Sequence, residues 1–482
     1  MKTVRFLAIV LGVGVAASGV YLSAQQPPPP EREIGKLYGE LCANCHGPKL
    51  EGAQFGSLVD DVWKFGGTDA DLTRMIQNGN PGGMPPFAAV LSAEEIRAMV
   101  IYIREQAARA AREKTTFNKP AANVVVTSEK ATFRLETVAE GVTAPWGIDF
   151  LPDGRILVTE KAGKLRIIEK GKLLPEPVTG IPAVLDKGQG GLLDVGVHPD
   201  YAKNGWIYLS FSDPGPDGSA MTKIVRGKLK GNAFVDVQDI FKAPTDLYLV
   251  GPNHFGDRIV FDRKGHIYFS IGERGQGAHA QELNRPNGKV HRLNEDGTVP
   301  KDNPFVGQPA AMASIYTYGN RNPQGLTLNA ATGVVWEVEH GPRGGDELNI
   351  IRPGRNYGWP IITYGMNYNG TPWEGGITAK EGMEQPVTYW TPSLAVSSLA
   401  FYAGDKFPHW KGNILLGSLA FQELRRLELT ADKVTHQEVL FKDVGRLRDM
   451  IVGPDGYVYV AFNQPDRIAR LVPAAAGAGS AN

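Results

Sequence analysis

From about residue 145 onward, apolar and polar positions alternate in short runs separated by Pro, Asp and Gly. This is the period-2 signature of strands with two different faces. One unit recurs: an apolar strand, a tight turn, then a second alternating strand. It is legible in IDFLPDGRILVTEKAGKLRII, VGVHPDYAKNGWIYLSFS, IVFDRKGHIYFSIGER, LTLNAATGVVWEVEHG, LAFYAGDKFPHWKGNILLGSL and IVGPDGYVYVAFNQPDRIARL. A single unit cannot bury both of its faces, whereas radial arrangement of six covers them and leaves few open edges. The pattern predicts an all-β six-bladed β-propeller over residues 131–473, with the early strand TFRLETVAE joining the last blade to close the ring.

Nearer the N-terminus the period changes. Ile96, Met99, Val100 and Ile103 fall at helical spacing behind LSAEE. There Ser92 as N-cap and Glu95 three residues on form a capping box. Ile34, Leu37 and Tyr38 mark a first helix that would cross the later one. Residues 31–111 therefore read as a small all-α domain, so the chain is multidomain. REKTTFNKPAANVVVTSEK has no sustained period, which makes residues 112–130 a linker; residues 474–482 read as a disordered tail. At the start, Lys2 and Arg5 precede a glycine-broken apolar run and the small pair Ser23-Ala24. That is the form of an export signal over residues 1–24, with an uncleaved membrane anchor as the alternative. A periplasmic location is expected.

Composition narrows the function. The 58 glycines and 34 prolines suit many strands and turns, and 51 basic against 51 acidic residues exclude a nucleic-acid binder acting through net charge. Membrane contact is expected only if the leader is retained. Both cysteines fall in CANCHG, as Cys42 and Cys45 followed by His46. CxxC alone could form a local disulfide or half of a zinc site, but no second CxxC exists to complete the latter. With the adjacent histidine it is the c-type haem attachment motif: two thiols bond the haem and His46 ligates its iron. NGNPGGMPPF supplies Met84 for the opposite face, in a loop without the apolar period of a core filler. That loop resembles the methionine-ligand loop of class I cytochromes c. His/Met ligation favours electron transfer over oxygen chemistry.

A propeller names no function by itself; its loops must. DKGQGGLLDVGVHPD places Gln189 among glycines before a strand, GPNHFGDRIVFD places His254 likewise, and YGNRNPQGL offers Arg321-Asn322. VGRLRDMIVGPDG carries Arg446 and Arg448, two apart and so on one side of a strand. If that side is the central channel, three arginines converge, suited to a ligand with several carboxylates or phosphates. The alternative for each arginine is a strut tying blades together. The pairing of Arg-Asn, Arg-x-Arg and a loop histidine in equivalent positions favours a site.

HFGDRIVFD, YGNRNPQGLTL, EHGPRGGDELNII, NYGWP and GRLRDMIVGPDG occur in that order. Together they resemble the soluble quinoprotein glucose/aldose sugar dehydrogenase family, which includes sorbosone dehydrogenase-like proteins. The resemblance runs from about Pro145 to Pro473. It implies a propeller that holds pyrroloquinoline quinone (PQQ) and calcium and oxidises a sugar or related alcohol. Motif by motif, it makes His254 the general base and Gln189 a residue that orients it or contacts the quinone. Arg321 and Asn322 bind PQQ near its reactive carbonyl, Arg446 and Arg448 bind its carboxylates, and Ser393 in YWTPSLAVSS takes a serine or threonine position. The carbonyls of Gly341 and Pro342 ligate the PQQ-bridging calcium, while Glu347 and Tyr357 match a second, structural calcium. Two positions depart from the pattern. Asn253 stands where an aspartate is common, removing a charge that raises imidazole basicity. Ala420 stands where a PQQ-contacting lysine is expected.

The resemblance also gives the two domains a shared logic. Sugar oxidation yields two electrons and a haem accepts one, so PQQ followed by haem c forms a relay made efficient by tethering. A cytochrome or terminal oxidase would take the electrons onward. Substrate specificity is expected in DLYLVGPN, YGMNYNGTPWEGG and SDPGPDGSAM. Two rival readings remain: a non-catalytic haem-linked propeller that senses or docks a partner, and a metal-dependent propeller hydrolase or lactonase. A hydrolase would need convergent carboxylates where these loops offer arginines, amides and a histidine.

Overall fold

The change of period is a change of architecture in the computed structural model, which describes residues 32–114, 125–256 and 258–475. The expected leader and nearly all of the expected tail lie outside the described residues. Four helices come first: α1 (Ile34–Leu41), α2 (Ala43–His46), α3 (Asp69–Asn78) and α4 (Ala93–Lys114). Glu33 caps α1 by accepting from the N–H groups of Gly35 and Lys36, each at 2.9 Å. The Ser92–Glu95 box caps α4 as expected, with reciprocal bonds of 2.9 and 3.2 Å. A second box, Thr68–Asp71, starts α3. Ile34, Leu37 and Tyr38 meet Leu72, Met75 and Ile76 and the α4 residues Ile96, Met99, Val100 and Ile103 in one core.

The linker is shorter than the 112–130 read from the sequence. Helix α4 continues through Lys114, because AARAAREK contains no helix breaker. Val125–Thr127, rich in β-branched residues, already pairs with Thr132–Ala139.

Six antiparallel sheets follow. Their innermost strands are Pro145–Phe150, Leu192–Val197, Ile259–Phe261, Pro323–Asn329, Val396–Phe401 and Arg446–Val452. Each packs beside the innermost strands of two neighbours, which closes the ring. The sixth sheet draws on both ends of the domain: Thr132–Ala139 pairs with Arg467–Pro473, with Leu135 opposite Leu471. Ala474 adds one more bond, from its N–H to the Thr132 carbonyl at 2.9 Å. Closure of this kind leaves no open sheet edge between first and last blades.

Arg258 ties the blades at the axis. Its guanidinium lies 2.9 Å from carboxylate oxygens of both Asp194 and Asp449. It also donates to the carbonyls of Gln324 and Ser397 at 3.3 and 3.4 Å, and stands 4.6 Å above the Trp146 ring. Those partners belong to the innermost strands of the other five blades, so this arginine is a strut.

Candidate functional site

In the helical domain, α2 ends on His46, whose Nδ1 lies 3.3 Å from the Gly56 carbonyl. A ring nitrogen held this way leaves Nε2 as the ligating one. The Phe55 ring lies 6.3 Å from the imidazole and also borders Gly83, next to Met84. The Met84 turn is closed by Asn80 N–H on the Met84 carbonyl at 3.1 Å. Gly79 begins that turn at φ 73°, and a Cβ there would meet the Met84 carbonyl at 2.4 Å. Cys42 and Cys45 are part-buried free thiols, and burial pushes Cys42 up to about 11. Cys42 and Met84 pack on the same helical core. Two thiols, an imidazole and a thioether form a donor set that fits haem c.

In the propeller, His254 adopts left-handed backbone geometry, φ 54°. Two contacts hold it there. Its N–H donates to the Gln189 side chain at 2.8 Å, and its Nδ1 meets the Glu273 carboxylate. Burial lowers its pKa below the ordinary histidine value; Glu273 opposes that shift, and Arg321 adds to it. Asn253 therefore does not leave the imidazole without a carboxylate, because the acid arrives from Glu273. Arg274 clasps the same loop, donating to the carbonyls of Asn253, of Gly251 at 3.0 Å and of Leu249 at 3.3 Å. Neither Glu273 nor Arg274 was a candidate from sequence. The signal was present: IGER follows a strand, His266–Ile271, paired to Ile259–Phe261 just beyond His254.

Asn322 joins this loop to the arginines. Its side-chain oxygen accepts from Gly256 N–H at 3.1 Å and from Gln324 at 3.4 Å, and Gln324 accepts from Arg448 at 3.1 Å. Arg321 donates to the carbonyls of His340 and Gly341 at 3.0 and 2.6 Å and stands 5.0 Å from the Trp359 ring. Glu339 accepts from the backbone N–H of Arg321 and Asn322 at 2.5 and 3.2 Å. Among the described residues Arg446 reaches only the Leu419 carbonyl, at 3.4 Å, which sets it beside Ala420, where the expected lysine is missing. The Nε of Arg321, the side-chain nitrogen of Asn322 and the Nε of Arg448 are buried without an acceptor among the described residues. Burial, then Arg446 and Arg258, pulls Arg448 down to about 9. Buried donors and cationic groups lacking acceptors fit a ligand with several carboxylates, as PQQ has.

Other expected residues sit differently. Ser393 donates to Asp346 at 2.7 Å rather than joining the arginines, and Asp346 also accepts from Gly341 N–H at 3.0 Å. Ser393 thus braces the loop of Gly341 and Pro342. The Gly341 carbonyl accepts from Arg321 at 2.6 Å, so a cation would bind that oxygen only in place of the guanidinium. The Tyr357 hydroxyl donates to the Ile350 carbonyl at 2.5 Å and accepts from Arg352 N–H at 3.0 Å, within electrostatic reach of Glu337. Around Glu347 stand Glu337, Glu339 and Asn349, which the sequence reading missed. The Asn349 amide nitrogen serves all three acids, at 3.1 Å from Glu337, 3.3 Å from Glu347 and 3.5 Å from Glu339. One Glu337 oxygen and the Asn349 carbonyl have no partner among the described residues. Burial raises all three carboxyls, and Glu339 adds repulsion at Glu337 and Glu347. Oxygen donors with surplus negative charge fit a divalent cation.

The sequence model of the glucose/sorbosone dehydrogenase family matches residues 142–470, the span of the propeller. The chain belongs to that family. Residues 29–103 match the cbb3-type cytochrome c oxidase subunit III family, which makes the helical domain a cytochrome c domain. This glucose/sorbosone dehydrogenase family member is 43% identical over 341 residues to the aldose sugar dehydrogenase YliI of Escherichia coli, covering 69% of this chain and 91% of that one. The PQQ-bound aldose sugar dehydrogenase of Streptomyces coelicolor is 27% identical with a TM-score of 0.57, over 71% of this chain and 98% of that one. The helical domain is 35% identical over 78 residues to the cbb3-type oxidase subunit FixP of Azorhizobium caulinodans, covering 16% of this chain and 27% of that protein. Family membership supports an oxidoreductase over the hydrolase and the sensor.

Proposed function

We propose that the protein oxidises an aldose, or a related alcohol, with PQQ as hydride acceptor and passes the electrons singly to its own covalently bound haem c. The observation that carries this reading is the His254–Glu273 pair beside a cradle of acceptor-free donors from Arg321, Asn322 and Arg448. PQQ, when bound, supplies the two-electron acceptor for the hydrogen on the alcohol carbon. Arg448 and Arg446 would hold its carboxylates, Arg321 and Asn322 its reactive end, and Gly341 and Pro342 a bridging calcium. His254 Nε2 takes the hydroxyl proton while Glu273 holds Nδ1 and stabilises the imidazolium that forms. Gln189 fixes the backbone of that histidine. Haem c, attached at Cys42 and Cys45 and ligated by His46 and Met84, supplies the one-electron acceptor.

The expected export leader supports a periplasmic setting. Similarity of the helical domain to cbb3-type oxidase subunits supports a cytochrome or terminal oxidase as onward acceptor. Glu347, with Glu337, Glu339 and Asn349, would hold a structural calcium. The test uses purified haem-loaded protein with calcium, PQQ and a panel of aldoses, following haem absorbance. Haem reduction that requires both PQQ and sugar is expected, and His254→Gln should abolish it. No reduction with any aldose or alcohol would refute the proposal.

A further inference from the structure

The segment from Tyr364 to Gly376, expected to shape substrate specificity, touches two things at once. One edge grips the cytochrome c domain. Met366 is fully buried, and its side chain belongs to the helical core with Ile34 and Ile101. The Gly370 carbonyl accepts from Ile34 N–H at 3.0 Å, satisfying one of the orphan donors that begin α1. The Gly376 carbonyl accepts from Arg97 of α4. Tyr364 stacks on Tyr389 with centroids 3.8 Å apart, and the Tyr389 hydroxyl bonds Asp69 of α3 at 2.9 Å.

The other edge meets the candidate site. Arg321 donates to the Tyr368 hydroxyl at 3.4 Å. Met366 exchanges backbone bonds of 3.0 and 2.9 Å with Arg343, which is two residues from Gly341. Arg343 in turn clamps Glu105 of α4, with contacts of 3.0 and 3.1 Å from Nε and 2.8 Å from Nη2. Such a paired, fork-shaped contact is directional as well as attractive.

We propose that residues 364–376, with Arg343, are the positioning device that holds the cytochrome c domain on the site-bearing face of the propeller, so that electrons cross between the domains. This rests on the proposed dehydrogenase reading. Oxidation of one C–OH to C=O releases two electrons and two protons. The haem iron takes one electron per visit, so each substrate reduces it twice, with an outside one-electron acceptor reoxidising it in between. The hydroxyl proton leaves through His254, and the second proton is released to solvent as the two electrons depart.

The test compares Glu105→Lys and Arg97→Ala, both on α4 and outside the candidate site, in the full haem-loaded chain, with folding of the cytochrome c domain checked by its haem spectrum. Hydrogen exchange at the Ile34 and Met366 amides and the scattering radius of gyration report the dock. Sugar-driven haem reduction and turnover with a soluble artificial acceptor report the chemistry. Expected are at least tenfold faster exchange, a larger radius, and haem reduction at least tenfold slower, with artificial-acceptor turnover kept within twofold. Accelerated exchange with haem reduction at the unmodified rate would overturn the positioning role alone, as would unchanged exchange and radius in both variants. Absence of artificial-acceptor turnover in the unmodified protein would overturn the dehydrogenase reading and, with it, the electron crossing.

Discussion

Glu273→Gln isolates the carboxylate that the structure places on His254. The substitution keeps a hydrogen-bonding group of the same size at Nδ1 and removes one charge from a buried pair. Two unit charges about 4 Å apart at an effective dielectric of about 20 attract by about 4 kcal/mol. The imidazolium exists only once the substrate proton has been taken, so this attraction acts on the transition state and not on the resting enzyme. The amide retains part of it as a hydrogen bond, which leaves an expected loss of about 2–3 kcal/mol, or roughly 30- to 160-fold in kcat. The pH dependence has a definite sign. Burial already lowers the His254 pKa and Glu273 raises it, so removing Glu273 lowers it further. The acidic limb of the rate profile should move down by about 1.5–2 pH units, at 1.36 kcal/mol per unit. The assay is sugar-dependent reduction of an artificial acceptor by the PQQ- and calcium-loaded protein across the acidic range. An unchanged kcat with an unmoved limb would refute the role given to this pair.

Three further outcomes are expected. Arg258→Met should destabilise the propeller by about 3–5 kcal/mol, because it strands two buried carboxylates. Burial raises both Asp194 and Asp449, so the loss should grow as pH rises and shrink where they can protonate; urea midpoints at acidic and basic pH check this. Arg448→Ala should weaken PQQ binding by about 10- to 160-fold, the worth of about 1.5–3 kcal/mol for a hydrogen bond to a charged group, read by titration of quinone absorbance. Chelation of divalent cations should lower the propeller melting temperature, and Glu337→Gln should diminish that sensitivity, as calorimetry with and without added calcium would show.

The fold was legible because its signals are local and repeated. Six strand–turn–strand units each carry their own alternation, and the Ser92–Glu95 box lies within four residues. The Thr68–Asp71 box was equally local and went unread. The site is different, since its contacts join distant segments. Glu273 reaches His254 across a strand pair, and Asn349 gathers Glu337 and Glu347 from adjacent strands. No spacing rule connects Arg343 to Glu105, 238 positions away, so a segment that docks another domain reads in sequence as an aperiodic loop.

Charge at the axis distinguishes Arg258, a strut, from the arginines proposed to bind an anion. Arg258 and Arg448 are close enough for each to be destabilised by the other's charge, and both stand over Trp146, at 4.6 and 5.5 Å. Arg258 is matched by two carboxylates. Arg448 follows on the innermost strand of the last blade, yet its neighbour Asp449 is committed to Arg258, and among the described residues Arg448 itself bonds only the neutral amide of Gln324. Its cation is therefore part-buried with no hydrogen-bonded acid among the described residues, beside Arg446, whose contact among them is a carbonyl. Folding tolerates such an arrangement at a cost in stability. An arginine whose charge is matched inside the protein serves the ring; one without a hydrogen-bonded acid, beside donors without acceptors, is the arginine the proposed function needs for an anion that arrives later.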